Sequence, residues 1–288
     1  MKLALGSVQF GLNYGIANKS GKVSRFEIEH ILNLARQRGI DMLDTAIAYG
    51  DSESSLGVVG VNDFKVITKL PEIPDGVANV GAWVAEQVKG SLLRLKIKSV
   101  YALLLHQSNQ LVGHSGEKII CALEQLKSDG VVQKMGVSIY APTELDTVMQ
   151  VCSVDIVQAP FNIIDRRLLN SGWLKRLHEQ GVEIHARSTF LQGLLLMKKN
   201  EIPEKFRAWS SLFYTWHKWL EKNSVSSADA CLSFIASHSF IDRTVVGVES
   251  RAQLEELLHF LSGLTNLQLP DLNCQDERLI NPSNWKYL

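Results

Sequence analysis

Leu43-Asp44-Thr45-Ala46-Ile47-Ala48-Tyr49-Gly50 begins as a short apolar run that closes on an acid, with a tyrosine five positions later and a glycine directly after it. An aspartate with a tyrosine nearby is common in any sequence. Two further strand-like runs give this pair its meaning. Phe64 to Thr68 ends against Lys69, and Val100 to Leu105 ends against His106. Asp, Tyr, Lys and His in that order, anchored at successive strand ends, form a set suited to proton transfer.

The same strand-then-helix rhythm extends in both directions. Upstream, Leu3 to Val8 reads as a first strand, and Phe10 to Gly15 as a glycine-punctuated loop. Ser24 and Glu27 have the spacing of a capping box, in which hydroxyl and carboxylate satisfy each other's free amides. Ile28, Ile31, Leu32 and Ala35 follow on one helical stripe, with Gly39 placed for the C-terminal cap. Met42 to Thr45 is a second strand, and Ser52 to Val59 a short helix. Downstream, a helix over 77–95 presents Val80, Val84, Val88 and Leu92 on one side. Further strands are predicted at Lys134 to Val137, Val154 to Val157, Val182 to Ala186 and Thr244 to Val246. Between them lie helices at Glu117 to Ser128, from Pro142, a residue suited to a first helical turn, and at Gly172 to Gln180. An insertion with a Trp- and Phe-rich helix, Trp209 to Trp219, follows the seventh strand. Helices at Ser227 to His238 and Gln253 to Leu261 complete the pattern.

Eight strands in even alternation with helices, without linker or repeat, predict an α/β fold, a (β/α)8 TIM barrel. A doubly wound sheet rarely uses so many strands in such regular order. The expectation is one domain over residues 1–288, with a helical insertion after the seventh strand and a C-terminal tail. The 288-residue length suits a barrel of ~250 residues plus these additions.

Composition narrows the function classes. The 30 basic and 30 acidic residues cancel, which argues against a nucleic-acid partner or an anionic membrane surface. No apolar run reaches the ~18 residues needed to span a bilayer, and Met1-Lys2-Leu3 leads into a strand rather than a signal peptide. Cys121, Cys152, Cys231 and Cys274 lack metal-site or disulfide spacing. A cytoplasmic enzyme is the expectation.

A barrel of this class carries its active site at the C-terminal ends of its strands. Those ends are Asp44, Lys69, His106, Ser138, Gln158, Arg187 and Gly247. A phenol titrates near ~10, and a neighbouring ammonium lowers that value by favouring the phenolate. The residue types therefore suggest Tyr49 as a general acid toward a carbonyl oxygen and Lys69 as the group that lowers its pKa. Asp44 would hold Lys69 in place, and His106 would orient the carbonyl. Each residue alone has a plainer reading: Tyr49 as a packed loop aromatic, Asp44 as a turn cap, Lys69 as a solvated side chain, His106 as a hydrogen-bonded residue of the barrel top. The ordered set is what favours catalysis.

These residues resemble the active-site tetrad of the aldo/keto reductase family. Asp44 to Gly50 matches its Asp-Thr-Ala-x-x-Tyr-Gly motif, and Ile67-Thr68-Lys69-Leu70-Pro71 and Leu103-Leu104-Leu105-His106 match its lysine and histidine segments. Leu5 to Gly11, running on to Tyr14-Gly15-Ile16, is similar to a bacterial branch. The resemblance implies hydride transfer between a nicotinamide cofactor and an aldehyde or ketone, without metal. Gly136-Val137-Ser138 is similar to the family's Gly-x-Ser-Asn, with Ile139 in place of the Asn; Ser138 and Gln158 remain as cofactor partners. Arg187 stands where the family has a stacking aromatic, and a guanidinium plane can also stack while adding charge.

Ser188 to Leu195, with Phe190, Gln192 and Gly193, looks like the family's pyrophosphate loop, whose backbone amides can cradle an anion. Gly247, Glu249, Arg251 and Gln253 lie in a segment resembling its adenosine-ribose clamp. Glu249 would repel a 2′-phosphate or bond a free ribose hydroxyl, whereas Arg251 would attract the phosphate, so both NADP(H) and NAD(H) stay open. The segments around Gln158 to Asn162 and Arg187 to Gly193 resemble reductases of bacterial surface-sugar pathways, which implies a sugar-derived carbonyl substrate. Tyr14, Tyr140 and the tail around Pro282 to Tyr287 are candidates for the pocket wall. Two other readings are a Schiff-base lyase using Lys69 and a reductase-like barrel that binds nicotinamide as a sensor.

Overall fold

The computed structural model describes residues 2–113, 115–262 and 267–288; Met1 of the opening stretch lies outside them. Eight parallel strands close into a barrel in sequence order, and the first pairs with the last. They are β1 (Leu3–Gly6), β2 (Met42–Asp44), β3 (Lys65–Leu70), β4 (Val100–Leu105), β5 (Val132–Ser138), β6 (Ile156–Pro160), β7 (Glu183–Arg187) and β8 (Arg243–Gly247). The longer helices on the outside are α1 (Arg25–Gln37), α2 (Ser52–Val59), α3 (Val80–Leu95), α4 (Gly116–Ser128), α5 (Leu145–Val151), α6 (Trp173–Glu179), α7 (Ser210–Asn223), α8 (Ser227–Ala236) and α9 (Arg251–Ser262). No described helix is long and apolar enough to cross a membrane.

The expected order of elements is the observed one, with informative differences at the edges. β1 stops at Gly6, and Val8–Gly11 is a single helical turn rather than strand end and loop. That turn lies tightly on the loop after β2: a Cβ on Gly11 would fall 1.8 Å from the Tyr49 carbonyl oxygen. β3 runs on to Leu70, so Lys69 lies inside the strand. β6 begins two residues later than expected and ends at Pro160. The capping box at α1 forms only by half. Ser24 accepts the Glu27 amide at 3.2 Å, but the Glu27 carboxylate accepts the Arg251 amide at 2.6 Å instead of turning back to its own helix. Glu27 thereby ties α1 to the start of α9. Gly39 does occupy the left-handed conformation (φ 72°) that a helix exit favours.

Apolar packing forms two shells. Ala4, Met42, Ile67, Ala102, Leu104 and Ile156 fill the barrel interior. A larger shell between strands and helices includes Val84 and Val88 of α3 and Ile31 and Leu32 of α1. Trp216 of α7 is fully buried, its indole N–H donating to the Leu195 carbonyl at 3.1 Å. The insertion after β7 is therefore part of the packed body.

Candidate active site

Side chains alternate along a strand with period two, so the apolar interior layer fixes what lies above it. Two positions beyond Met42, Ile67, Leu104 and Ile156 stand Asp44, Lys69, His106 and Gln158. The registers Gly6 to Asp44, Gly6 to Gly247 and Ser138 to Gln158 set those strand ends side by side, and Arg187, opposite Pro160, stands two residues further along at the same mouth. One barrel mouth therefore carries a continuous polar ring.

Within that ring the Lys69 Nζ donates to Asp44 Oδ1 at 2.6 Å and to the Thr45 carbonyl at 2.9 Å. Gln158 Nε2 donates to Asp44 Oδ2 at 2.7 Å, and Ser138 Oγ donates to Gln158 Oε1 at 3.3 Å. Both carboxylate oxygens of Asp44 are thus held. The Lys69 ammonium lies 5.1 Å from the centre of the Tyr49 ring. Tyr49 meets His106 edge to face, with ring centres 5.8 Å apart. Burial, reinforced by the cations Lys69 and Arg187, lowers the His106 pKa to about 4, so its imidazole is neutral at physiological pH.

Tyr49 departs from expectation. Burial first, and then the Asp44 charge, push its phenol well above the ordinary tyrosine range, while Arg187 pulls it down. In the free protein the phenol is a firmly protonated acid, not one pre-lowered by Lys69. Burial also lowers the Lys69 ammonium, and Asp44 works against that shift. Only 1% of the lysine is exposed, and it lies behind the wall of the site rather than on it. A Schiff-base lysine has to meet its electrophile, and this one is enclosed.

A cavity of about 720 Å³ opens above the ring and runs toward the end of β8. Asp44, Tyr49, His106, Ser138, Gln158 and Arg187 line its inner end. Ser188, Phe190, Gln192 and Gly193 follow, and Gly247, Glu249 and Gln253 line the outer end. Arg251 is the candidate that the structure leaves out. Its guanidinium lies 3.4 Å from Glu255 on the outer face of α9, away from the wall.

Arg187 is fixed by neutral groups. It donates to the Ile139 carbonyl at 2.8 Å and to Ser188 Oγ at 3.3 Å, and its guanidinium carbon lies 4.8 Å from the centre of the Tyr140 ring. The loop that follows holds Ser188, Leu191 and Gln192 at positive φ (60°, 47° and 53°), at a cost of order 1 kcal/mol or more for each such residue. Asn162 Nδ2 donates to the Ser188 carbonyl, and Gln192 Nε2 donates to the Tyr14 hydroxyl at 3.1 Å. At Gly193 a Cβ would fall 2.5 Å from that of Ala17, so a glycine there lets the two loops close on each other.

Other wall residues carried little or no sequence signal. Gln9 comes from the helical turn mistaken for strand and loop. Its amide lies where a Cβ on Gly247 would fall, 2.5 Å away, so glycine at that position makes room for it. Ser226, Ser227 and Ala228 bring the start of α8 to the cavity, and a helix N-terminus favours anions. Pro282 and Ser283, already candidates for the wall, arrive from the C-terminal tail, which the tryptophan-bearing insertion clasps. Lys205 Nζ donates to the Trp285 carbonyl at 3.1 Å, Phe206 meets Trp285 edge to face, and Trp209 Nε1 donates to Asp276 at 3.2 Å. Of the described tail residues 267–288, only Pro282 and Ser283 reach the wall, and Tyr287 is exposed.

The wall suits a dinucleotide. Gln9 Oε1, Arg187 Nε and Thr189 Oγ1 are buried polar atoms without a protein partner, and all three residues line the cavity. Groups in that state carry a desolvation cost until a ligand satisfies them. The family model described as the aldo/keto reductase family matches residues 2–271. The chain belongs to the aldo/keto reductase family. It is accordingly an NAD(P)-dependent oxidoreductase acting on small-molecule carbonyls. This aldo/keto reductase is 26% identical to an uncharacterized oxidoreductase, YqkF, of Bacillus subtilis, over 78% of the chain and 79% of that protein. It is 24% identical to an L-glyceraldehyde 3-phosphate reductase of Escherichia coli O157:H7, over 88% and 84%. Among solved structures it superposes on the holo form of aldo-keto reductase AKR11C1 from Bacillus halodurans with a TM-score of 0.71 and 20% identity, covering 96% of this chain and 95% of that one. That superposition speaks to the barrel alone.

Proposed function

We propose that this aldo/keto reductase reduces a polar, sugar-derived aldehyde with Tyr49 as proton donor and NAD(H) as preferred cofactor. The observation that carries the proposal is the enclosed Lys69–Asp44 pair beside the Tyr49 ring, at the base of a cavity that also holds neutral His106. Ser138 and Gln158 would edge the nicotinamide end. Ser188, Phe190, Gln192 and Gly193, with the start of α8, would hold the pyrophosphate, and Gly247, Glu249 and Gln253 the adenosine ribose. When bound, NAD(P)H supplies a hydride to the carbonyl carbon and is left with a cationic ring.

The chain's own residues do the rest. His106 and the Tyr49 hydroxyl hold the carbonyl oxygen, and the raised phenol arrives protonated. Tyr49 gives its proton to that oxygen as negative charge develops there. The phenolate left behind faces the Lys69 ammonium, which Asp44 keeps charged and Gln158 keeps aligned through its bond to Asp44. General acid catalysis of this kind contributes roughly 10²–10⁴ in rate.

The cofactor preference rests on charge. Glu249 and Glu256 line the outer end of the cavity, where no lysine or arginine among the described residues lines the wall. A 2′-phosphate there would meet two carboxylates with nothing to offset them, and like-charge contacts of this kind are unfavourable. The sugar preference rests on the polar inner wall, with Tyr14, Tyr140, Arg187 and Ser283, and on the similarity to the glyceraldehyde-phosphate reductase. Fluorescence titration with NADH and NADPH, followed by turnover of a carbonyl panel, tests both. Tighter NADH binding and reduction of short sugar aldehydes are expected. Strong NADPH preference would mean that Glu249 turns away from the ribose, and turnover confined to simple aromatic aldehydes would remove the sugar assignment.

A further inference from the structure

The inner end of the cavity has an unbalanced charge. Lys69 is neutralised by Asp44 at 2.6 Å, and His106 is uncharged. Among the described residues Arg187 is held by the Ile139 carbonyl, the Ser188 hydroxyl and the Tyr140 ring, with its Nε buried and unpartnered. Among the described residues no carboxylate lies within ion-pair distance of it. A guanidinium keeps its proton under all working conditions. One fixed positive charge therefore stands on the wall beside Tyr49.

We infer that Arg187 acts as a redox discriminator, weakening the binding of the oxidised, cationic nicotinamide relative to the reduced, neutral one. The inference rests on the proposed site, because a carbonyl protonated by Tyr49 requires the hydride-donating ring at this same inner end. Hydride transfer moves two electrons and a proton from the neutral ring to the carbonyl carbon, and the ring becomes a pyridinium. That new positive charge appears in a part of the cavity where Arg187 is uncompensated. The field of Arg187 already reaches Tyr49, His106 and Lys69, acting on each in the sense expected of a nearby cation. Two unit charges brought close together in a partly screened site repel enough to change a binding ratio on the order of tenfold. Arg187 would thus favour loading of the reduced form and release of the oxidised one.

A role in gripping the pyrophosphate would behave differently, since both redox forms carry the same phosphates. So would a role in binding an anionic group of the substrate, which leaves cofactor affinities nearly unchanged. The test is equilibrium binding of NADH by fluorescence and of NAD+ by displacement of NADH, in the wild type and in Arg187→Met, Arg187→Gln and Arg187→Lys. The ratio Kd(NAD+)/Kd(NADH) should fall on the order of tenfold in R187M and R187Q and stay near the wild-type value in R187K. Equal weakening of both forms in R187M and R187Q, or an unchanged ratio, would overturn the inference while leaving the reductase site in place. Wild-type protein that binds neither form would overturn the proposed site itself, and this inference with it.

Discussion

The two mouths of the barrel both carry charged, inward-leaning side chains, yet they differ in how the charges are settled. At the N-terminal mouth Glu183 accepts from Tyr101 at 2.7 Å, Lys134 at 2.6 Å and His185 at 2.7 Å, and Arg243 pairs with Asp41 at 2.6 Å. Against burial, which would raise it, the bonds from His185, Lys134 and Tyr101 hold the Glu183 carboxyl far below the usual range. At the C-terminal mouth Lys69 and Asp44 pair, but Arg187 has no anionic partner among the described residues, and Gln9 Oε1 and Thr189 Oγ1 on the cavity wall are unpartnered. The charges at the N-terminal mouth are paired, although among the described residues His185 Nδ1 and Thr244 Oγ1 lack partners there; at the other mouth an unpaired charge lines a cavity. Polarity at a strand end is therefore a weaker sign of function than a charge left unpaired on a cavity wall.

The sharpest way to break this contrast is Lys69→Met. It strands a buried carboxylate and should cost about 3–5 kcal/mol of stability, read by urea unfolding, together with nearly all carbonyl reduction. In the double variant D44L/K69M no charge is left unpaired, so stability should largely return while activity does not. Recovery of both would show that the pair acts only as a structural element.

At the opposite mouth Glu183→Gln should cost a smaller amount, about 1–3 kcal/mol, and leave kcat/KM near the wild-type value. Its pH dependence follows from linkage. The folded carboxyl lies below its unfolded value, so its contribution is present above the ordinary glutamate range and is lost as pH falls below it. E183Q should therefore flatten the acid side of the stability profile. A large loss of turnover in E183Q with stability intact would erase the distinction between the two mouths.

Much of the upper mouth was legible because period-two alternation in buried strands leaves few choices. Asp44, Lys69, His106 and Gln158 follow apolar residues at the right spacing, and small errors at the ends of β3 and β6 did not change the face they occupy. Gln9 was not legible, since a single helical turn has no period to detect. Pro282 and Ser283 were visible only as candidates: their position depends on Trp285 packing against Phe206, a contact between residues 79 apart in sequence. Arg251 was misplaced because its pairing with Glu255 along one helix turn competes with facing the cavity. The direction of the Tyr49 shift was misjudged for a related reason. Adjacency of Lys69 is a sequence-order argument, whereas the burial that dominates the phenol is a property of the assembled cavity.

Tyr49→Phe, measured for NADH affinity and for carbonyl reduction in parallel, separates the proton donor from the rest of the site. Cofactor binding should stay unchanged while kcat/KM falls by roughly 10²–10⁴. A Tyr49→Phe protein that binds NADH and reduces the carbonyl at the wild-type rate would contradict Tyr49 as the proton donor.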